Sequence, residues 1–109
     1  MALSGIGYAR AMRRKQIFIA TSSSGPGAMN MVTAAGVALS NRLPLLLLPG
    51  DVFASRFPDP VLQQVENFNS PVENQNDAFK PVSRFFDRIT RPEQILNSCL
   101  LYTSPSPRD

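Results

Sequence analysis

The stretch TSSSGPGAMN, residues 21–30, holds the residues of this chain that are best suited to bind a ligand. Gly25 and Gly27 have no side chain, so the backbone can approach a bound molecule closely there. Pro26 between them fixes the chain direction and removes one N–H donor. If a helix begins at this point, its first N–H groups are free to face a polar or anionic ligand. On residue types alone, a tight turn that binds nothing is an equally good interpretation.

Composition excludes several kinds of chemistry. The 109 residues include no histidine and a single cysteine, Cys99. Histidine-based acid–base catalysis, a histidine-rich metal site, an intrachain disulfide and a cysteine zinc cluster are therefore ruled out within this chain. The glycine spacing at residues 22–27 matches neither a Walker A loop nor a dinucleotide-binding fingerprint. With 43% hydrophobic residues, the chain can form one small domain.

The net charge of +3 includes a short basic cluster, which consists of Arg10, Arg13, Arg14 and Lys15. Such a cluster can bind nucleic acid, but cations are also favoured where a helix ends, and we prefer the second interpretation. The N-terminus has no signal-peptide pattern, and the longest apolar run, Leu43–Leu48, is too short to cross a bilayer. We therefore predict a cytoplasmic protein with neither nucleic acid nor a membrane as partner.

A strand–helix–strand unit must position the glycine-rich stretch. The apolar runs Gln16–Thr21 and Leu45–Leu48 predict two buried strands, and Gly27–Ser40 predicts a buried helix between them. Short connections of this kind favour parallel strands with a right-handed crossover. The stretch then lies beyond the carboxyl end of the first strand, where open α/β sheets bind their ligands.

The rest of the chain contributes further elements on either side of this unit. In chain order we predict a helix over 2–14, a helix over Val61–Phe68, a loop over Asn69–Asn76, a strand over Val82–Ile89 and a helix from Thr90. Thr90 is a favourable N-cap residue, and Glu93 three positions later completes a capping-box pattern. The predicted fold class is α/β, a partial open parallel sheet with flanking helices.

Both ends of the chain look interrupted. MALSGIGYARAM has the pattern of a helix interior without an N-cap, so Met1 is expected to be an internal methionine. Residues Cys99–Asp109, CLLYTSPSPRD, match the in-frame translation of a transposase-type sequencing adapter. We therefore expect one partial domain over residues 1–98 and a disordered, artefactual segment over 99–109.

Several segments resemble a known enzyme family. GYAR, TSSSGPGAMNMVTAAGVAL and LPLLLLPGD resemble the pyrimidine-binding domain of thiamine-diphosphate-dependent enzymes of the acetolactate synthase type. NRLPLLLLPGDVFASRFPDPVLQQVE and NDAFKPVSRFFDRITRPEQ resemble one group within that family more closely. This group hydrolyses a carbon–carbon bond of a trihydroxycyclohexane dione to 5-deoxy-glucuronate in inositol catabolism. The resemblance extends from Met1 to about Ser98 and implies a truncated pyrimidine-binding domain.

The resemblance also implies roles for individual residues. Pro26 would pack against the aminopyrimidine ring of the cofactor, flanked by Gly25 and Gly27, and Asn30 would lie at the cofactor in the following helix. Lys80, in the segment DAFK, stands where acetolactate synthases have a glutamine. Together with Phe79, it would line the channel for the cyclic dione.

No catalytic residue is implied within this chain. The activating glutamate of the family lies just upstream of the first helix, and the motif for magnesium and diphosphate belongs to another domain. The resemblance therefore implies that this chain is inactive alone. It also implies that the parent enzyme is a homo-oligomer, a dimer or tetramer, and that it uses thiamine diphosphate and Mg²⁺. Two alternatives stay open: a piece of another acetolactate synthase-like enzyme, and a stand-alone non-enzymatic α/β binding module.

Overall fold

A computed structural model of the protein describes residues 1–55, 62–65, 69 and 73–103, of which 101–103 are described by their backbone alone. Its elements in chain order are α1 (Ala2–Ala11), β1 (Phe18–Ser22), α2 (Pro26–Met29), α3 (Val32–Ser40), β2 (Leu45–Pro49), a 3₁₀ helix (Gln75–Val82) and α4 (Gln94–Thr103). None of the helices in these ranges has the length and apolar character needed to span a membrane.

Strands β1 and β2 form a parallel two-stranded sheet. Phe18 lies opposite Leu45, and the pairing continues in register to Ser22 opposite Pro49. Parallel neighbours need a crossover connection, and α2 and α3 supply it. The predicted α/β class, a partial parallel sheet with flanking helices, is therefore confirmed.

The sheet is covered on one face only within the described residues. Phe18, Leu45 and Leu47 pack against the core that α1 and α3 form on that face, around the buried Ala20. On the other face, the side chains of Ile19 and Leu48 are 55% and 50% exposed. The prediction of two buried strands therefore holds for one face of the sheet and is wrong for the other, because successive side chains of a strand point to opposite faces and both helices pack on the same one.

The predicted helix Gly27–Ser40 is divided into α2 and α3. Residues 30 and 31 form a turn, in which the Met31 N–H donates to the carbonyl oxygen of Ala28 at 2.9 Å. This bond spans three residues rather than four, so the helix tightens locally. Asn30 consequently lies at the end of α2 rather than inside a continuous helix.

The region after β2 differs most from the prediction. The predicted helix Val61–Phe68 lies outside the described residues except for 62–65, of which 62 and 63 form a turn and 64 and 65 are irregular. The predicted loop Asn69–Asn76 ends early, because the 3₁₀ helix begins at Gln75 after a capping box at Asn74.

Residues 83–90 are irregular, so the prediction of a strand over Val82–Ile89 is wrong. Val82 belongs to the 3₁₀ helix instead, and Ser83 is the C-cap residue of that helix, with its hydroxyl donating to the Phe79 carbonyl oxygen at 2.8 Å.

Helix α4 begins four residues after its predicted cap. The backbone N–H groups of Thr90 and Arg91 donate to the Gln94 side-chain oxygen, at 2.7 and 2.9 Å. Gln94, rather than Glu93, thus supplies the capping acceptor. The helix continues to Thr103, in keeping with the high helix propensity of leucine in CLLYT. The origin of residues 99–109 stays a prediction.

Helices α1 and α3 both end with an arginine in the left-handed region. Arg13 has φ of 51° and Arg42 has φ of 53°, and each follows the C-cap residue of its helix. The next N–H donates back five residues in both cases, Arg14 to Ala9 and Leu43 to Ala38, which is the Schellman motif. Arg10 and Arg14 also donate to Asn41, at 3.4 and 3.2 Å. The basic cluster therefore lies at helix ends, as predicted.

Substitution of Arg42 by glycine should stabilise the fold. Glycine adopts a positive φ without the penalty of a Cβ, although it loses more conformational entropy than arginine when the chain folds. We expect the net result to be a gain of about 0.5–1 kcal/mol in the free energy of unfolding. Arg42→Ala is the matched control, since it removes the same charge but keeps the Cβ. Urea unfolding curves that are identical for the two variants would contradict the assignment of backbone strain.

Candidate functional site

The loop between β1 and α2 lies at the carboxyl end of the sheet. β1 ends at Ser22, and α2 begins with Pro26 in its first turn. Gly25, the N-cap residue, has φ of 69° and ψ of −134°. Residues with a Cβ rarely adopt this conformation. The turn from strand to helix therefore requires glycine at position 25.

Gly50 holds the end of β2 against the same loop. Its N–H donates to the Ser22 carbonyl oxygen at 3.0 Å. A Cβ built at position 50 would lie 2.8 Å from the backbone nitrogen of Ser24. A side chain at this position would push the two segments apart, so Gly50 permits the close approach.

A cavity of about 190 Å³ opens beside this loop. It lies between the N-terminus of α1, the end of β1 and the beginning of α2–α3. Its lining consists of Met1, Ala2, Leu3, Thr21, Ser22, Gly27, Asn30 and Met31.

The cavity combines an apolar wall with polar groups. Leu3 and Met31 contribute apolar side chains. Asn30 contributes its side-chain amide, which makes no hydrogen bond with any described residue. Thr21 uses its hydroxyl to donate to the Leu48 carbonyl at 2.9 Å. Helix α1 contributes Ala2 and Leu3 to the lining at this end. Such a lining can bind a small ligand that has both apolar and polar surface.

The predicted cofactor-binding residues divide into two pairs. Gly27 and Asn30 line the cavity. Gly25 is buried and Pro26 is exposed, and neither is part of the lining. Sequence reasoning did not identify the contribution of α1, because nothing in a helical pattern shows which loop its N-terminus will face.

The two residues predicted to line the substrate channel lie elsewhere. Phe79 is 4% exposed and belongs to the hydrophobic core. The Lys80 ammonium group is 3.1 Å from the Asp77 carboxylate and 5.6 Å from the centre of the Phe86 ring. The structure thus gives both residues packing or ion-pair partners away from the cavity, and their role in a channel stays a prediction.

A network of charged groups joins the end of β2 to the 3₁₀ helix. Arg88 donates through Nε to Asp51 at 2.8 Å and through Nη2 to Asp77 at 3.0 Å. The Asn74 amide donates to the other Asp51 oxygen at 2.5 Å, and Lys80 completes the network at Asp77. Arg88 therefore holds two carboxylates from segments that are far apart in the chain.

This network shifts the pKa of two of its members. Burial alone would raise the pKa of Asp77, but hydrogen bonds from Lys80, the Asn74 backbone and Arg88 outweigh it and bring the pKa below its ordinary value of 3.8. Burial would likewise lower the pKa of Arg88, and the carboxylates of Asp51 and Asp77 raise it instead. Both groups are therefore held in their charged forms.

Acid should weaken the fold through Asp77. Because its folded-state pKa is below the ordinary value of 3.8, the ionised carboxylate stabilises the fold above that pH, and this contribution is lost as the pH falls through the folded-state pKa. We expect Asp77→Asn to be less stable than the unsubstituted protein at pH 7 and equally stable near pH 2. Urea midpoints across this range measure the difference, and parallel pH profiles for the two proteins would contradict it.

Metal binding finds no support in residues 1–55, 62–65, 69 and 73–103. Within these ranges no group of three His, Cys, Asp or Glu side chains could hold an ion. The carboxylates of Asp51 and Asp77 are instead paired with Arg88.

Comparison with known proteins identifies the family. A family model described as "Thiamine pyrophosphate enzyme, N-terminal TPP binding domain" matches residues 1–70. Curated relatives named 3D-(3,5/4)-trihydroxycyclohexane-1,2-dione hydrolase are 55% identical in Halalkalibacterium halodurans and Clostridium tetani and 54% identical in Bacillus subtilis (strain 168). Each alignment covers 92% of this chain but only 16% of the relative's length. No solved structure matches the chain. The chain therefore belongs to the thiamine pyrophosphate enzyme family, in its N-terminal TPP-binding domain.

Proposed function

We propose that this chain is the pyrimidine-binding part of a thiamine-diphosphate-dependent hydrolase that opens the ring of 3D-(3,5/4)-trihydroxycyclohexane-1,2-dione to 5-deoxy-glucuronate in inositol catabolism. The observation that carries this proposal is the identity of 54–55% with hydrolases of that name over 92% of the chain. The chain spans 16% of the length of these relatives, so the remaining machinery of the proposed enzyme comes from outside it.

The residues of the cavity fit the pyrimidine end of the cofactor. The Asn30 amide can pair with the polar edge of the ring, while Leu3 and Met31 offer apolar contact to its faces. Pro26 and Gly25 set the direction of the chain on one side of this space. When bound, the cofactor supplies an electron sink for cleavage of the carbon–carbon bond. The part of the chain described here binds and orients the ring.

Other features of the proposal concern the whole enzyme. Mg²⁺ and the diphosphate group of the cofactor would be bound by parts of the enzyme other than the described residues, among which no metal-binding group of side chains is found. The exposed apolar sheet face at Ile19 and Leu48 supports coverage by the rest of a homo-oligomeric enzyme. A cytoplasmic location agrees with a small catabolic intermediate as substrate.

Asn30→Ala should weaken cofactor binding. Loss of one hydrogen bond amounts to about 1 kcal/mol, which is about a fivefold rise in the Kd for thiamine diphosphate. The measurement is a calorimetric titration of the enzyme expressed from the full coding sequence that contains this chain, hereafter the full-length enzyme. Thr33→Ala, at an exposed position one turn later, is the matched control and should leave the Kd unchanged. An unaltered Kd for Asn30→Ala would exclude a direct contact.

Turnover by the full-length enzyme tests the proposed function. We expect it to convert the cyclic dione to 5-deoxy-glucuronate only when thiamine diphosphate and Mg²⁺ are present. Formation of acetolactate from pyruvate, without reaction of the dione, would assign the chain to an acetolactate synthase-like enzyme instead. Turnover that is independent of the cofactor would overturn the proposal.

A further inference from the structure

We infer that Gln63 is a positioning residue of the cofactor site, an inference that rests on the proposed function. Its side chain reaches the loop between β1 and α2 from a segment 40 residues further along the chain. The Ser23 hydroxyl donates to Gln63 Oε1 at 2.7 Å. This bond joins the residue that follows β1 to the turn at residues 62 and 63.

The backbone of Gln63 makes a second, independent contact with the loop. A Cβ built at Gly25 would lie only 1.5 Å from the Gln63 carbonyl oxygen, so this oxygen occupies the space that a side chain would need. Gln63 itself has φ of 66°, a conformation that costs residues with a Cβ about 1 kcal/mol or more. Such a conformation persists only where surrounding contacts maintain it. Gly25 and Gln63, which both have a positive φ, therefore pack directly against each other.

The loop is supported from its other side by β2 and the 3₁₀ helix. Gly50 packs against Ser24, and the Asn76 amide donates to the Gly50 carbonyl oxygen at 2.9 Å. Asn76 is 3% exposed, so this support lies inside the protein. The turn at 62–63 and the end of β2 therefore hold residues 23–25 between them.

Gln63 can influence the cofactor without touching the cavity. Residues 23–25 lead directly into Pro26 and Gly27, and Gly27 lines the cavity whereas Gln63 does not. If the loop is released, it samples other conformations, and the apparent Kd rises in inverse proportion to the fraction that remains competent to bind. Gln63 therefore sets cofactor affinity through the loop.

The test compares two substitutions of the same length in the full-length enzyme. Gln63→Met removes the acceptor of the Ser23 hydrogen bond, and Gln63→Glu keeps an acceptor oxygen. We expect Gln63→Met to raise the Kd for thiamine diphosphate about threefold to tenfold, and Gln63→Glu to stay within about twofold of the unsubstituted enzyme. At saturating cofactor, kcat should be the same for all three. Gln94→Ala, which removes a capping acceptor on α4, should leave the Kd unchanged.

Further variants test whether Gln63 acts through Ser23. Ser23→Ala should raise the Kd as Gln63→Met does, and the double variant should add nothing further. An unchanged Kd for folded Gln63→Met, or fully additive effects in the double variant, would overturn the positioning role while leaving the proposed function intact. If Gln63→Met does not fold, Ser23→Ala and Gln63→Glu decide the question on the same titration. Failure of the unsubstituted enzyme to bind thiamine diphosphate would overturn the proposed function and this inference together.

Discussion

Gly25→Ala should reduce the free energy of unfolding by about 2–5 kcal/mol and abolish measurable binding of thiamine diphosphate. Two effects combine. Alanine is strained at a φ of 69°, and its Cβ would lie 1.5 Å from the Gln63 carbonyl oxygen. Because that oxygen belongs to the backbone, the clash cannot be relieved by rotation of a side chain. The loop or the turn at 62–63 must move.

The chain provides a matched control for this substitution at Gly7. A Cβ built there has no atom within 4 Å apart from its chain neighbours and the backbone of its own helix, and the residue lies within α1. Gly7→Ala should therefore be neutral or should stabilise the fold by up to about 1 kcal/mol. Urea unfolding followed by circular dichroism compares the two variants, and calorimetry measures cofactor binding. Gly25→Ala with the stability and affinity of Gly7→Ala would show that the close approach of Gln63 is not required.

Arg88→Met should have the second largest effect, a loss of about 2–3 kcal/mol in the free energy of unfolding. The substitution keeps the bulk of the side chain but leaves Asp51 and Asp77 without their shared guanidinium group. Their side chains are 27% and 31% exposed, so water compensates for the loss only in part. The contact between the end of β2 and the 3₁₀ helix should loosen as a result.

Arg84→Met is the control for Arg88, since Arg84 is an exposed arginine four residues earlier in the same irregular segment. We expect it to change stability by less than about 0.5 kcal/mol. A second test is Arg88→Lys, which keeps the charge but cannot bond to both carboxylates with the geometry of a guanidinium group. It should recover part of the lost stability. Equal stabilities for Arg88→Met and Arg84→Met would contradict a structural role for the network.

Local patterns predicted the elements whose apolar runs are long and continuous. The runs around Phe18–Ser22 and Leu45–Pro49 became parallel strands, and the small apolar residues between them became the crossover helices. The strand predicted over Val82–Ile89 failed because its alternation is partial. Phe86 packs on the core, while Arg88 is drawn to Asp51, a partner 37 residues away. Such long-range attraction leaves no local pattern in the sequence.

The same limit applies to the candidate site. The residues of SSSGPG suggested a ligand loop because glycine and proline have specific backbone requirements, and the observed φ of Gly25 agrees with this reasoning. The opposite wall of the cavity, formed by Met1–Leu3, and the clamp from Gln63 depend on how distant segments pack. No local pattern shows that Gln63 or Met1–Leu3 will lie beside this loop, so only the folded structure places them there.

A crystal structure of the full-length enzyme with thiamine diphosphate bound would test the assignment of the cofactor site, because it measures the distance from the aminopyrimidine ring to the Asn30 amide. This assignment requires the ring to occupy the cavity beside Gly27, with its polar edge about 3 Å from that amide. A ring that is bound by residues outside this cavity, with Asn30 beyond hydrogen-bond distance, would contradict it.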